Sequence, residues 1–203
     1  MKIICVGRNY AEHIRELNHP LPASPVFFLK PDTALVTRNR PFFYPGFSRE
    51  IHHEVELVLK ISKIGKAIRE PFAHEYFDEI ALGFDLTARD LQDEAKKKGL
   101  PWALSKGFDQ SAPVSRFVDK KSLGDLGHIS FRLDLNGKTV QHGNSSMMLF
   151  SFEEIISYLS RFMTLRTGDL IFTGTPAGVG PIKVGDVLEG YLEGEKMLTT
   201  KVC

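Results

Sequence analysis

Three acidic residues have the spacing of a divalent-cation site. Glu54 and Glu56 are two residues apart in a segment of alternating apolar residues that predicts a strand, so both side chains project from one face. Asp85 follows a second apolar segment, residues 80–84. Three oxygen ligands favour a hard ion, Mg²⁺ or Mn²⁺, over zinc. The same pattern also fits two glutamates on a solvent-facing strand and an aspartate in a turn.

A histidine and a glutamate with helical spacing form a second candidate. His13 and Glu16 lie three positions apart in residues 9–17, a predicted helix that ends before Asn18 and Pro20. The carboxylate could hold one imidazole nitrogen and leave the other free to take a proton from water. A solvated pair near a helix end is the alternative interpretation.

Two lysines and a glycine-rich segment complete the candidates. Lys106 lies near the single tryptophan, where an ammonium can steady an oxyanion or bind a carboxylate, and Lys30 lies between an apolar strand and a proline. Both positions also fit ordinary surface lysines.

Residues 174–180 lack the Lys-Ser/Thr pair of a phosphate loop. They predict a tight turn whose exposed backbone N–H groups and Thr175 hydroxyl suit a small carboxylate. Lysines 96–98 end a predicted helix and are interpreted as solvated.

The composition excludes several classes of protein. The 203 residues include 26 Lys and Arg against 25 Asp and Glu, a formal net charge of +1, which argues against a nucleic-acid or anionic-membrane binder. Hydrophobic residues make up 42%, so one domain over residues 1–203 is expected to have a sufficient core. Cys5 and Cys203 stand at opposite ends without metal-ligand spacing, which favours a reducing cytoplasmic location. No segment has the length of a signal-peptide core or of a membrane span.

The elements that must position the candidates are mostly short strands. Strands are predicted at residues 2–6, 26–29, 54–61, 79–86 and about 129–135, with the 54–61 strand half-buried. Asn136-Gly137 predicts a hairpin, and residues 41–49 a loop.

Two further helices are predicted from their ends. Thr87 to Asp90 has capping-box-like spacing and opens a helix that Gly99 closes, while Ser151 to Glu154 opens another. Strands outnumber helices and do not alternate regularly with them. The pattern therefore predicts a β-rich α+β fold, a mixed β-sandwich roll with short peripheral helices.

Seven short motifs, spread over nearly the whole chain, occur in one characteristic order. They are Gly7-Arg8-Asn9-Tyr10 with His13 and Glu16, Phe28-Leu29-Lys30-Pro31, His53-Glu54-x-Glu56-Leu57, Asp85-x-Thr87-Ala88-Arg89-Asp90, Lys106-Gly107-Phe108-Asp109, Gln141-x-Gly143-Asn144 and Gly174-Thr175-Pro176-x-Gly178-Val179-Gly180. Together they resemble the fumarylacetoacetate hydrolase family. The short length and the segment NYAEHIRE resemble its small acylpyruvase and oxaloacetate decarboxylase members.

The resemblance implies a complete site and an assembly. It implies that Glu54, Glu56 and Asp85 hold Mg²⁺ or Mn²⁺, and that the His13/Glu16 pair lies on a helix that orders over the substrate as a lid. It also implies a β-rich roll and a homodimer. The catalytic and substrate-binding residues that it implies are His13, Glu16, Lys106, Arg8, Lys30, Gln92, Gly174 and Thr175.

The expected reaction is cleavage of acylpyruvates, which are 2,4-diketo acids, to pyruvate and a carboxylic acid. His13, oriented by Glu16, would deprotonate the attacking water. The same site fits decarboxylation or tautomerisation of oxaloacetate, and an isomerase of the 2-hydroxyhepta-2,4-diene-1,7-dioate type. The alternative from another class is a non-catalytic domain stiffened by a cation, which has no use for a His/Glu pair on a mobile helix. The expected partner is a small keto acid, with no nucleic acid and no membrane.

Overall fold

The computed structural model describes residues 1–16 and 21–203. The predicted helix end at Leu17, Asn18 and Pro20 lies outside the described residues. Strands dominate the described part of the chain. In chain order they are β1 (Ile3–Gly7), β2 (Val26–Lys30), β3 (Leu35–Val36), β4 (Ile51–His53), β5 (Val55–Ile61), β6 (Phe77–Phe84), β7 (Thr87–Ala88), β8 (Ala112–Pro113), β9 (Val118–Asp119), β10 (Ser130–Leu135), β11 (Lys138–Asn144), β12 (Leu170–Phe172), β13 (Gly180–Ile182), β14 (Val187–Leu192) and β15 (Glu195–Lys201).

The helices are short and lie between the strands. The α-helices are α1 (Ala11–Glu16), α2 (Arg89–Lys98), α3 (Ala103–Lys106) and α4 (Phe152–Phe162). Single-turn or short 3₁₀ helices span Asp32–Ala34, Glu70–Tyr76, Lys120–Leu123, Leu126–His128 and Ser145–Met147. Residues 41–49 form the predicted loop, apart from one isolated bridge between Phe42 and Val202.

A six-stranded sheet carries most of the candidate site. Its strand order is β2-β1-β12-β5-β6-β9, in which β1 and β12 pair parallel and the other neighbours antiparallel. β12 lies between β1 and β5, although it follows them by more than 100 residues in the chain. The central strands are therefore joined by long-range contacts.

Both faces of β5 are buried, so the prediction of a half-buried strand is wrong. Leu57 and Leu59 pack into the main hydrophobic core, as the alternation predicts. On the opposite face, Val58 packs into a second apolar cluster with Phe172, while Glu56 is only 2% exposed. A central strand with layers on both sides leaves no face for solvent.

A four-stranded antiparallel sheet, β11-β10-β14-β15, packs against β6 across the main core. Its hairpin between β10 and β11 turns at Asn136-Gly137, as predicted. Both turn residues have positive φ, 52° and 79°, which is the geometry of a type I′ turn. Two small sheets, β13-β4-β7 and β3-β8, complete the strand pairing of the described residues.

The two predicted helix starts have different outcomes. Ser151 caps α4: its hydroxyl accepts from the Glu154 N–H, and the Glu154 carboxylate accepts from the Ser151 N–H. α2 ends at Gly99 as predicted, with φ of 65°. Its capping box is wrong, because Ala88 is the N-cap and the Thr87 hydroxyl donates to the Asp85 carbonyl instead.

The described chain therefore has the predicted β-rich fold with short peripheral helices. Cys5 is buried, Cys203 is exposed, and both thiols are free. In the described residues, no helix has the length and apolar character needed to cross a membrane.

Candidate active site

The pairing of β5 with β6 brings the three carboxylates together. Glu54 lies directly before β5 and Asp85 directly after β6, and the Asp85 N–H donates to the Glu54 carbonyl at 2.8 Å. Glu56 is the next residue of β5 on the same face as Glu54. One oxygen from each of the three side chains lies within 4.8 Å of the others, and all three residues are buried. The alternative interpretation, in which Glu54 and Glu56 lie on a solvent-facing strand, is therefore wrong.

The glycine-rich segment after β12 serves the Glu56 carboxylate. The Gly174 N–H donates to Glu56 Oε2 at 2.7 Å. The prediction that the backbone N–H groups of this turn are exposed for a ligand is therefore wrong for Gly174. Gly174 has φ of 101°, and a Cβ there would lie 2.7 Å from the Asn9 Cβ. Only glycine fits both the backbone conformation and the space. Burial raises the Glu56 pKa, and the charges of Asp85 and Glu54 raise it further.

The Thr175 hydroxyl lies next to the triad. It donates to the Val55 carbonyl and accepts from Gln141 Nε2, both at 2.9 Å. Gln141 Oε1 in turn accepts from the Val55 N–H and contacts His53 Nδ1 at 3.0 Å. Gln141 thus couples the hairpin sheet to the threonine, and His53 is turned away from the carboxylates.

Lys106 places its ammonium among the carboxylates. Its Nζ lies 2.8 Å from Glu54 Oε2, 2.7 Å from Asp85 Oδ2 and 2.6 Å from Thr87 Oγ1. Burial by itself lowers the Lys106 pKa, but the charges of Asp85 and Glu54 outweigh burial and raise it. Lys106 is therefore a fixed positive charge, suited to offset negative charge on a ligand and unsuited to accept a proton.

Lys30 is buried behind Asp85, outside the described lining of the pocket, and its contact with substrate stays a prediction. Its Nζ lies 2.8 Å from both Asp85 Oδ1 and Ser111 Oγ, and it also donates to the Leu86 carbonyl at 3.2 Å. These contacts fix the Asp85 carboxylate from the side away from Lys106. Lys30 is a positioning residue for Asp85.

Arg89, at the start of α2, contacts Glu54 from a third direction. Its Nη2 donates to Glu54 Oε1 and its Nη1 to Gln92 Oε1, each at 2.5 Å. Arg89 and Gln92 are three residues apart on one face of α2, and both are buried. The charges of Lys106 and Arg89 outweigh the effect of burial and hold the Glu54 pKa well below its usual range.

The His13/Glu16 pair lies on α1 at the edge of the same pocket. His13 is 6% exposed, and its Nδ1 is 3.3 Å from Glu16 Oε2. The Glu16 carboxylate also accepts from the Gly178 N–H at 3.2 Å, which ties α1 to the glycine-rich segment. Burial lowers the His13 pKa, while Glu54 and Glu16 partly offset that effect. The imidazole is therefore neutral at neutral pH and able to accept a proton.

Asn9 holds the two sides of the pocket together. Its amide donates to the Thr173 carbonyl at 2.8 Å and the Phe150 carbonyl at 3.1 Å, and its Oδ1 accepts from the Phe150 N–H at 2.8 Å. The residue before it, Arg8, has a left-handed φ of 61° and lines the pocket. The hydrogen bonds of the Asn9 side chain fix the backbone directly after β1 and so position Arg8 at the pocket.

These side chains line one pocket, which is open to solvent at its mouth. Its described lining comprises Val6, Gly7, Arg8, His13, Phe28, Glu54, Glu56, Asp85, Arg89, Gln92, Lys96, Trp102, Lys106 and Thr175. Glu16, Lys30 and Gly174 support this lining from behind. The structure thus assembles every predicted site residue at or directly behind one pocket, and their catalytic roles stay predictions.

The carboxylates fit a divalent cation. Three buried carboxylate oxygens within 4.8 Å of one another are the donors that Mg²⁺ and Mn²⁺ prefer. Asp85 Oδ1 is buried and lies near the Lys30 ammonium, yet it accepts no aligned hydrogen bond from the described residues. A buried oxygen with unused acceptor capacity is consistent with a ligand to a cation.

Three contributions to the pocket were not predicted from the sequence. The sequence predicts only a helix start at Arg89, although its spacing of three from Gln92 is a usable signal. Lys96 was interpreted as solvated with its neighbours, and that interpretation is wrong, because Lys96 lines the pocket. Trp102 and Phe28 supply apolar wall, and their rings are 6.0 Å apart. No local pattern indicated that these two rings meet.

Comparison with known proteins identifies a family. The family model for the C-terminal domain of fumarylacetoacetate (FAA) hydrolase matches residues 2–203. A Mus musculus protein named oxaloacetate tautomerase FAHD1, mitochondrial, is 48% identical over 98% of this chain and 90% of the relative. A Dictyostelium discoideum protein named oxaloacetate decarboxylase, mitochondrial, is 44% identical over 95% of this chain and 89% of the relative.

A solved structure shares the fold. The fumarylpyruvate hydrolase from Pseudomonas aeruginosa, solved in complex with Mn²⁺ and pyruvate, has a TM-score of 0.94 and 38% identity, covering 100% of this chain and 89% of that one. The sheet-rich fold is that of proteins similar to the C-terminal domain of fumarylacetoacetate hydrolase. The chain belongs to the fumarylacetoacetate hydrolase family.

Proposed function

We propose that this protein is a divalent-cation-dependent enzyme that interconverts the keto and enol forms of oxaloacetate. The observation that carries the proposal is the buried imidazole of His13 beside an all-carboxylate site and a fixed ammonium. Tautomerisation needs one group that takes and returns a proton, next to charges that stabilise an enolate. The relatives named oxaloacetate tautomerase and oxaloacetate decarboxylase support oxaloacetate as substrate.

His13 is the proton carrier in this proposal. With Nδ1–H donated to Glu16, Nε2 has a lone pair for the proton on the carbon between the ketone and the distal carboxylate. Breaking that C–H bond forms the carbon–carbon double bond and puts negative charge on the ketone oxygen. His13 then returns the proton to that oxygen, so atoms and charge balance without an oxidant or an added water.

Fixed charges stabilise the negative oxygen. The Lys106 ammonium keeps its proton throughout, because Asp85 and Glu54 raise its pKa. Glu54, Glu56 and Asp85 would hold the cation, which supplies Lewis-acid stabilisation of the charge on the substrate oxygens. Arg8, Gln92 and Thr175 position the polar ends of the substrate.

Acylpyruvate hydrolysis, the reaction first expected from the sequence, is the second candidate. The Glu16-oriented His13 is also the arrangement that activates water, and the Pseudomonas aeruginosa relative is named a fumarylpyruvate hydrolase. Oxaloacetate tautomerisation ranks first because the relatives with 44% and 48% identity are named for reactions of oxaloacetate.

The test compares three reactions on one preparation. Metal-stripped protein is supplied with Mg²⁺ or Mn²⁺, and the ultraviolet absorbance of the oxaloacetate enol is followed alongside pyruvate release from oxaloacetate and from acetylpyruvate. We expect enol conversion to be the fastest, and His13→Gln to slow it by about 10²- to 10⁴-fold. His74→Gln, outside the pocket lining, is the matched control.

Two results would overturn the proposal. Enol conversion at the uncatalysed rate with either ion would remove the tautomerase function. Acetylpyruvate cleavage faster than enol conversion would make hydrolysis the main reaction.

The assembly, the identity of the ion and the location of the protein stay predictions. We propose a homodimer, as the resemblance to the family implied, and light scattering of the purified protein tests it. The Mn²⁺ in the Pseudomonas aeruginosa structure supports a divalent ion and leaves Mg²⁺ and Mn²⁺ as alternatives. The cytoplasmic location stays a prediction, and the two named relatives are described as mitochondrial.

A further inference from the structure

The pocket is lined by more positively charged side chains than are paired with its carboxylates. Lys106, Lys30 and Arg89 are each paired with Glu54 or Asp85. Lys96 lines the same pocket, and its one ion pair in the described residues is with exposed Asp93 at 3.7 Å, a long and weak contact. Arg8 also lines the pocket and makes no ion pair with the described residues.

Lys96 is placed outward from the carboxylates along one helix face. Arg89, Gln92 and Lys96 follow one another at spacings of three and four in α2, so they share a face, and all three line the pocket. Arg89 contacts Glu54, and seven residues of helix separate Lys96 from it by about 10 Å of axial rise. Helical side chains lean toward the N-terminus, which favours a lysine stem directed back toward the pocket that Lys96 lines.

The environment of Lys96 differs from that of its neighbours. Its side chain is 25% exposed, and its ammonium lies 6.0 Å from the centre of the Trp102 ring. Lys98 is 59% exposed and pairs with Glu94. Burial lowers the Lys96 pKa, and the nearby charge of Arg89 lowers it further, so the site holds positive charge that an anion would stabilise.

We propose that Lys96, together with Arg8, forms a subsite for the distal carboxylate of a short keto diacid and so sets the preference for diacids over keto monoacids. This inference rests on the proposed function, which places the keto-acid end of the substrate at Glu54, Glu56 and Asp85. A keto acid held there by its keto-acid end has its far end near the outer part of the α2 face. A carboxylate at that end finds an ammonium with an incomplete set of partners, whereas a methyl group leaves the ammonium desolvated and unpaired.

The test uses a matched pair of ligands. Oxaloacetate and 2-ketobutyrate have the same four-carbon chain and differ by a carboxylate in place of a methyl group. Trp102 is the single tryptophan of the chain and lines the pocket, so its fluorescence reports binding to Mg²⁺-loaded protein without requiring turnover. The measured quantity is the ratio of the two dissociation constants.

We expect the wild-type protein to bind oxaloacetate more tightly, and Lys96→Met to reduce that preference by about 10- to 100-fold, the size of one lost charged hydrogen bond. Binding of 2-ketobutyrate is not weakened, because methionine keeps the apolar stem beside Trp102 and removes the unpaired ammonium. Lys96→Arg restores the preference. Lys97→Met, on the exposed side of the same turn, leaves it unchanged.

The outcomes separate the subsite from the proposed function. A preference that survives Lys96→Met, or a wild-type protein with no preference, overturns the subsite whatever the catalytic result. A preference that depends on Lys96 in a protein that does not interconvert oxaloacetate tautomers keeps the subsite and removes the proposed reaction.

Discussion

At the scale of single residues, the site separates fixed charge from proton transfer. Lys106 and Arg89 are held in place by carboxylates, and the charges of Asp85 and Glu54 raise the Lys106 pKa. His13 is buried with a lowered pKa and one carboxylate partner, Glu16. In the proposed reaction, a proton therefore moves at one position while the surrounding charges stay constant, which is the division of roles that proton transfer next to a keto acid requires.

The pH dependence of activity follows from His13. Burial favours the neutral imidazole and lowers its pKa below 6.5, so the proton-accepting form persists until the pH falls through that lowered value. We expect kcat/KM to fall on the acid side with a midpoint below pH 6.5. Glu16→Gln, which removes a charge that raises the His13 pKa, moves the midpoint to lower pH. A wild-type midpoint above 6.5 would contradict this assignment.

At the scale of elements, the sequence predicted strands better than it predicted their surroundings. The alternation of residues 54–61 located β5 and put Glu54 and Glu56 on one face. It did not show that this face is buried, because the groups that cover it, Lys106 and Gly174, come from segments about 50 and 120 residues away. Local patterns carry periodicity and turn chemistry, but not which distant segment packs above a strand.

The two helix starts illustrate the same limit. Ser151 and Thr87 both precede an acidic residue at a spacing of three, yet only Ser151 forms the capping box. The Thr87 hydroxyl is instead used by Lys106, and the Asp90 carboxylate by Ser48 and the Arg49 N–H. The contact of Thr87 with the distant residue Lys106 therefore replaces the local capping contact that the sequence pattern predicts.

The capping box of α4 gives a stability prediction at this scale. Ser151→Ala removes the acceptor for the Glu154 N–H and is expected to lower the free energy of unfolding by about 1 kcal/mol. Denaturant unfolding measures the change. Ser151→Asp keeps an acceptor and retains most of the stability, and neither variant changes kcat. An alanine variant as stable as wild type would show that the cap contributes nothing.

At the scale of the whole molecule, the cation site links binding to folding. Glu54, Glu56 and Asp85 come together only when β5 and β6 are paired, so the folded state has a site that the unfolded chain lacks. Burial of three carboxylates is unfavourable without compensating charge, and a divalent cation adds to the compensation from lysine and arginine.

Cation binding is therefore expected to raise the melting temperature. At an ion concentration of 100 times Kd the stabilisation is about 2.7 kcal/mol, or about 5–10 °C for a chain of this length. Thermal unfolding with and without Mn²⁺ measures it. Glu56→Gln should abolish the shift, while Glu79→Gln, which loses only a surface pair with Lys60, should keep it. An equal shift in both variants would place the ion elsewhere.

The position of β12 between β1 and β5 determines the order in which a nascent chain can be completed. β1 and β5 cannot become neighbours of β12 until residues 170–172 have left the ribosome, and Thr173 to Thr175 follow directly with the last contacts to Asn9 and Glu56. Until then the growing protein carries unpaired strand edges and no catalytic pocket. Pairing of the central sheet and completion of the pocket therefore wait for synthesis of the C-terminal sixth of the chain.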